Sequence, residues 1–176
     1  MNIFILNTGR CGSTTFIKAC QHITNYSSGH ETLSAKTGSQ RLLYSENHIE
    51  ADNRLSWFLG RLDEKYSNDA FYVHLQRDQA RAAASFVKRQ SYGIMQAYEQ
   101  GILQGIDEKH DPEQIALDYI YTVTANINHF LKDKDHKMDF RLENAKDDFI
   151  LFWNAVNAEG NLNAALQEWD VTYNAS

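Results

Sequence analysis

The chain reads as an α/β protein, a three-layer sandwich around a small central parallel sheet. Three observations predict this. Ile3-Phe4-Ile5-Leu6 and Ala70-Phe71-Tyr72-Val73-His74-Leu75 are short, nearly continuous apolar runs of the kind buried on both faces of a parallel sheet. Met138-Asp139-Phe140-Arg141-Leu142 alternates, as a half-exposed or edge strand does. Amphipathic helical stretches lie between these runs, and strands separated by helices connect by parallel crossovers that cover both faces of the sheet.

The helices follow from periodicity and from start signals. Leu55, Phe58, Leu59, Leu62 and Tyr66 recur at helical spacing, as do Ile115, Tyr119, Val123, Ile127 and Phe130, and then Phe149, Phe152, Trp153 and Val156. The only proline, Pro112, follows Asp111. An acidic N-cap before proline at the first helical position starts a helix, which the pattern carries to about Leu131. Asn25, Ser27, Ser28, Gly29, Thr32, Ser34, Gly38 and Ser39 punctuate residues 24–48, which are expected to be loop-rich.

The 176 residues suit one domain over residues 1–176. With 43% hydrophobic and 23% charged residues, the composition excludes disordered, collagenous and disulfide-framework classes. Cys11 and Cys20 lack metal-type spacing and cannot form a disulfide framework, so a reducing compartment is expected. The start, Met1-Asn2-Ile3-Phe4-Ile5-Leu6, lacks the basic and apolar regions of a signal peptide, and no run approaches a membrane span. A cytoplasmic protein is the expectation, and a homo-oligomer is compatible with it.

Net charge is −6, unevenly divided. Residues 1–103 hold 11 Lys and Arg against 9 Asp and Glu, whereas residues 104–176 hold 6 against 14. The overall acidity argues against nucleic-acid or anionic-membrane partners, and places any small anionic ligand in the N-terminal half.

Between the first strand and Phe16-Ile17-Lys18-Ala19-Cys20 lies Asn7-Thr8-Gly9-Arg10-Cys11-Gly12-Ser13-Thr14-Thr15. A glycine- and hydroxyl-rich loop feeding a helix N-terminus directs backbone N–H groups and the positive end of the helix dipole at one point, which makes an anion cradle. Arg10 adds a forked cation, and Ser13, Thr14 and Thr15 add hydroxyls. The Walker A pattern fails because Ser13 stands where its lysine belongs, and a G-x-G-x-x-G fingerprint also fails. A phosphatase-like loop would need an arginine after Cys11, where Phe16 and Ile17 stand. Cys11 reads as a small loop residue, with a thiolate stabilised by Arg10 as the alternative. The plain alternative for the whole loop is a tight turn whose hydroxyls cap the helix.

The second strand ends at Gln76, and Arg77-Asp78 opens a helix carrying Arg81, Ser85, Lys88 and Arg89. Ligands of α/β sheets bind at the carboxyl ends of strands, where Arg77 lies. Its long stem can reach toward Ser85, so the two residues are expected to clamp a second phosphate. The plain alternatives are an Arg77–Asp78 pair, a core-facing Ser85 and a solvated Lys88-Arg89 face.

With these two elements the chain resembles the sulfotransferase family that uses 3′-phosphoadenosine 5′-phosphosulfate. Arg10-Cys11-Gly12-Ser13-Thr14 is similar to that family's loop for the 5′-phosphosulfate. Arg77-Asp78 with Ser85 is similar to its 3′-phosphate element. Weaker likenesses are Phe140-Arg141-Leu142-Glu143-Asn144 to a late strand and Tyr173-Asn174-Ala175-Ser176 to a closing Asn-x-Ser. The resemblance implies a P-loop-like strand-loop-helix and transfer of a sulfuryl group to a hydroxyl of a carbohydrate or small metabolite. Gly9, Arg10, Cys11, Gly12, Ser13, Thr14, Thr15, Arg77 and Ser85 would hold the nucleotide, and Arg10 would also act in catalysis.

Such chemistry needs a base for the acceptor proton and donors on the leaving phosphate, without a metal. By the resemblance, a glutamate or histidine soon after the first helix serves as base, which makes Glu31 the first candidate and His30 the second. Both residues could instead cap or ion-pair in a loop. His48, Glu50, Asp52, Asn53 and Arg54 would line the acceptor pocket or form a hydrated helix start. Trp57 is either an adenine stacker or a core residue, His74 reads as a satisfied core residue, and His110, His129 and His136 show no informative spacing. Residues 90–110 would add to the acceptor side. The alternatives to an active enzyme are a nucleotide-binding sulfotransferase-like module without turnover and a P-loop kinase.

Overall fold

The apolar runs foreseen as strands occupy the middle of a five-stranded parallel sheet. The structure, a computed structural model, describes residues 1–104, 111–171 and 173. In chain order the main elements are β1 (Asn2–Leu6), α1 (Ser13–Cys20), β2 (Ser27–His30), β3 (His48–Ala51), α2 (Leu59–Tyr66), β4 (Ala70–Gln76), α3 (Gln79–Val87), α4 (Gly93–Ala97), α5 (Pro112–Leu131), β5 (Lys137–Arg141), α6 (Ala145–Ala155) and α7 (Leu162–Gln167). Strand order is β2-β3-β1-β4-β5. The chain runs outward from β1 to β2, returns to β3, and then crosses to β4 on the other side of β1. That reversal makes the carboxyl end of β1 the switch point, where α/β sheets open a crevice.

Alternation along the strands divides the interior into two cores. Ile3 and Ile5 of β1, Ile49 and Ala51 of β3, and Phe71 and Val73 of β4 face the layer of α1, α6 and α7. Phe4, Leu6, Ala70 and Tyr72 face the layer of α2, α3 and α5. Phe16 of α1 sits edge-on to Phe140, Phe149 and Phe152, with ring centroids 5.0 to 5.5 Å away. On the other face Tyr119 of α5 packs edge-on to Phe86 and Tyr98. Helix α5 keeps the predicted bounds: Asp111 accepts from the Glu113 amide at 3.0 Å, and Pro112 occupies the first turn.

The sheet corrects the strand reading in two places. Ser27–His30 and His48–Ala51 are strands, although residues 24–48 were expected to be loop and His48 and Glu50 part of a pocket wall or helix start; of that cluster only Asp52, Asn53 and Arg54 form a helix start. Strand β2 is a polar edge strand held only on one side, so it carries no apolar signature. Strand β3 is buried along its length but contains His48 and Glu50, whose burial depends on partners supplied by distant segments. The apolar stretch over residues 55–66 also divides. A 3-10 turn, Asn53–Trp57, is capped by Asp52, and α2 starts only at Leu59. Trp57 is 39% exposed and tilted against Tyr98. His110 and Asn174-Ala175-Ser176 lie outside the described residues, as do residues 105–110 of the expected acceptor side. No helix among the described residues is long and apolar enough to cross a membrane.

His74 is buried in β4, but its Nδ1 has no hydrogen-bond partner, and Asp139 stands 3.7 Å away. It is a core residue, though not a fully satisfied one. Burial holds the imidazole below its ordinary value, against the pull of Asp139. The folded state therefore takes up this proton less readily than the unfolded chain. The stability contribution is complete above the unfolded value of about 6.5 and is lost as pH falls through the folded value. Replacing His74 by Leu is expected to make Tm less sensitive to acid. Thermal unfolding at pH 7.5 and pH 5 should show the Tm difference moving in favour of the variant at pH 5.

Candidate functional site

The turn from β1 into α1 is built from backbone that few residues adopt. Gly9 lies at φ 90°, Arg10 at φ 58° and Gly12 at φ 86°, all left-handed. At Gly12 a Cβ would also meet the Leu142 side chain. Each carbonyl from residue 7 to residue 10 is tied back. The Asn7 carbonyl accepts from Ser56 Oγ at 3.1 Å and the Thr8 carbonyl from the buried Tyr119 hydroxyl at 2.7 Å. The Gly9 carbonyl accepts from Thr8 Oγ1 and Cys11 Sγ, both at 3.1 Å, and the Arg10 carbonyl from an Arg77 guanidinium nitrogen at 3.0 Å. Asn7 braces the turn, accepting from the Gly9 amide at 2.8 Å and donating to the Ile5 carbonyl at 3.0 Å. A tight turn with its carbonyls held back, leading straight into a helix N-terminus, suits a nest for anions. The glycine N-cap of α1 offers no side chain to its first-turn amides, whereas Asp78, Asp111 and Asn161 cap α3, α5 and α7.

The turn opens into a cleft of about 860 Å³. Gly9, Arg10, Gly12, Ser13, Thr14 and Thr15 line it, together with Arg77 and Ser85. Cys11 does not. Its thiol is buried beside Thr8, and burial pushes it above its ordinary value, so neither a nucleophile nor a side-chain ligand fits there. The expected Arg77–Ser85 clamp also differs in its hydrogen bonds: Ser85 Oγ accepts from Arg10 Nε at 2.8 Å, and Arg77 braces the Arg10 backbone. Asp78 caps α3 by accepting from the Arg81 amide.

The cleft is strongly cationic. Arg10, Arg54, Arg77, Arg81, Lys88 and Arg89 line it, against Glu31 alone among the described carboxylates. All six cations fall within residues 1–103, where an anionic ligand was expected. Partial burial and the charges of Arg89 and Arg77 hold the Arg10 guanidinium below its ordinary value.

On the β2–β3 side of the cleft stand His30, Glu31, Asn53 and Arg54. His30 Nε2 is 3.0 Å from Ser13 Oγ, and a Glu31 carboxylate oxygen is 2.9 Å from Arg54. His48, Glu50 and Asp52 do not line the cleft and are buried behind it, which corrects their reading as pocket wall. Burial pushes the Asp52 carboxyl above its ordinary value, opposed by the Arg54 amide and the Arg41 guanidinium. Leu142 and Trp169, which carried no chemical signal in the sequence, close the β5 side, and Tyr92, Ile94 and Met95 line the segment after α3. Trp57 is not part of the lining, so no adenine contact is assigned to it.

Comparison with known proteins bears on the fold. No protein-family model matches the sequence, and no curated protein matches it either. Among solved structures the chain is similar to a sulfotransferase domain from the curacin biosynthetic pathway. That likeness has a TM-score of 0.63 at 13% identity and covers 94% of this chain and 76% of that one.

Two measurements check the geometry of the turn. Tyr119→Phe leaves the buried Thr8 carbonyl without its donor and is expected to cost about 1–2 kcal/mol in chemical denaturation. Alkylation with iodoacetamide at pH 8 should leave Cys11 unmodified in the native protein and modify it after unfolding, as peptide mass spectrometry would read. The α/β sandwich with its strand-loop-helix at the switch point is thus a sulfotransferase-like fold.

Proposed function

We infer that the protein is a sulfotransferase that takes 3′-phosphoadenosine 5′-phosphosulfate and moves its sulfuryl group to a hydroxyl of a carbohydrate or small metabolite. The observation that carries this reading is the charge of the cleft: among the described residues six cations and one carboxylate line it, at the switch point of a chain whose net charge is −6. The fold likeness supports it, and so does the fit of the residues to a ligand with two separated phosphate groups. The nest at Gly9–Gly12 and the first turn of α1 suit one group. Arg77, Arg81 and Ser85, together with the Arg10 side chain bonded to Ser85, suit the other.

When bound, the donor supplies an activated sulfuryl group, whose S–O bond to phosphate breaks as a new S–O bond to the acceptor oxygen forms. Arg10 and the first-turn amides of α1 stabilise the negative charge that builds on the leaving phosphate oxygen. Glu31 takes the acceptor's hydroxyl proton, and Arg54 orients its carboxylate. His30, bonded to Ser13 at the mouth of the phosphate turn, is the second candidate for this proton. One observation favours the alternative of a binding module without turnover: Glu31 and His30 both already have protein partners. The kinase reading gains no support, because Ser13 occupies the position where the nucleotide-binding lysine of such loops stands.

Adenosine 3′,5′-bisphosphate at about 100 times its Kd is expected to stabilise the folded state by about 2.7 kcal/mol, read as a rise in Tm. Arg10→Ala or Arg77→Ala should remove most of that rise, and a wild-type protein that shows none would sink the reading. Radiolabelled donor offered with a panel of hydroxyl acceptors separates enzyme from module. Transfer that falls roughly a hundredfold or more in Glu31→Gln marks an enzyme with Glu31 as base. Binding without transfer to any acceptor marks the module.

A further inference from the structure

Glu50 and Asp52 are buried carboxylates in which the proposed mechanism has no part. Both are 0% exposed, and buried carboxylates are costly unless fully hydrogen-bonded. They alternate with Ile49 and Ala51, so both lie on the sheet face opposite those residues.

Asp52 ends on the Arg54 amide, and Glu50 ends on Thr32, the residue after Glu31. Glu50 Oε1 accepts from the Thr32 amide at 2.7 Å, and Oε2 accepts from the Thr32 hydroxyl at 2.5 Å. His48 Nε2 also meets Oε2 at 2.9 Å, while its Nδ1 meets Ser27 Oγ at 2.8 Å. Gly29 lets the carboxylate pass, since a Cβ there would meet Thr32, Glu50 and His48. One residue further along β3, the Ala51 carbonyl accepts from the Glu31 amide at 3.0 Å. Glu31 itself sits at φ 55°, a left-handed conformation that a non-glycine residue keeps only when its neighbours enforce it. Asp52 Oδ1 accepts from the Arg54 amide at 2.8 Å, and its Oδ2 accepts from the buried Arg41 at 2.5 Å.

We propose that Glu50 and Asp52 are positioning residues for the acceptor side of the cleft: Glu50 locks the turn at Thr32 that carries Glu31, and Asp52 locks the backbone that carries Arg54. The proposal rests on the reading that Glu31 takes the acceptor's proton. It goes beyond that reading by assigning the orientation of the pair to two groups that never meet the substrate.

Thr32→Val, at an exposed position, removes the hydroxyl donor to Glu50 and leaves the core intact. With water as acceptor, release of radiolabelled sulfate from 3′-phosphoadenosine 5′-phosphosulfate should fall roughly three- to tenfold in kcat, with the Kd for adenosine 3′,5′-bisphosphate unchanged. Thr32→Ser, which restores the hydroxyl, should recover the wild-type rate. Asp52→Asn turns an amide NH2 toward one of its two donors, the Arg54 amide or Arg41, so it should lower Tm and lower kcat roughly three- to tenfold with the Kd for the bisphosphate unchanged; wild-type kcat in the folded variant overturns the role given to Asp52. Wild-type kcat in Thr32→Val, or no recovery in Thr32→Ser, overturns the proposal while bisphosphate binding and the Glu31→Gln effect still uphold the function. A crystal structure of Thr32→Val in which Glu31 keeps its bond to Arg54 overturns it as well, whatever the protein's activity. Wild-type protein that does not bind the bisphosphate overturns the functional reading, and with it the role given to the pair.

Discussion

The left-handed turn between β1 and α1 is the constraint on which the site depends. An L-residue such as Arg10 enters that conformation at a cost of about 1–2 kcal/mol, and Gly9 and Gly12 give up more backbone entropy than other residues would. The turn survives because its carbonyls are taken by partners from four places: Ser56, Tyr119, Arg77, and the turn's own Thr8 and Cys11. These bonds hold acceptors away from the cleft and leave it a surface of amides, hydroxyls and cations. The same bonds join α5, the end of β4 and the segment after β3 to one loop, so the turn and the central core share their supports.

The electrostatics follow from that geometry. An acidic chain concentrates six of its cations around one opening, and Arg10 sits close enough to Arg77 and Arg89 to feel both. Exposed charges spread over a surface are screened within about 10 Å at ordinary salt, but charges converging in a cleft reinforce one another. The acidic half contributes to the opposite outcome elsewhere. Its described helices pack the sheet through apolar faces, so net acidity of the chain and a locally positive cleft coexist.

The two ends of the cleft differ in construction. The β1–α1 side is made of backbone and long cations anchored on a buried turn. The β2–β3 side is a single ion pair with a histidine, held from behind by carboxylates that never reach the opening. Burying Glu50 and Asp52 is tolerable because each of their four carboxylate oxygens finds a donor, from Thr32, Arg41 or the Arg54 amide, with His48 also bonded to Glu50.

The sequence by itself determined the strands at Ile3–Leu6 and Ala70–Leu75, the alternating strand near Phe140, the helix from Pro112 to Leu131, and the glycine- and arginine-bearing turn. Each is signalled locally, by hydrophobic period, by a cap or by glycine spacing, and local signals survive whatever the rest of the chain does. Tertiary structure alone decided what β2 and β3 are, because a buried His48 or Glu50 is affordable only with Ser27 and Thr32 beside it, and that proximity is a property of the assembled sheet. It also decided that Arg10 rather than Arg77 bonds Ser85, that Cys11 turns inward, and that Glu31 meets Arg54. Side-chain pairing across 75 residues depends on where a strand crossing delivers each backbone, and no pattern within a single segment encodes that.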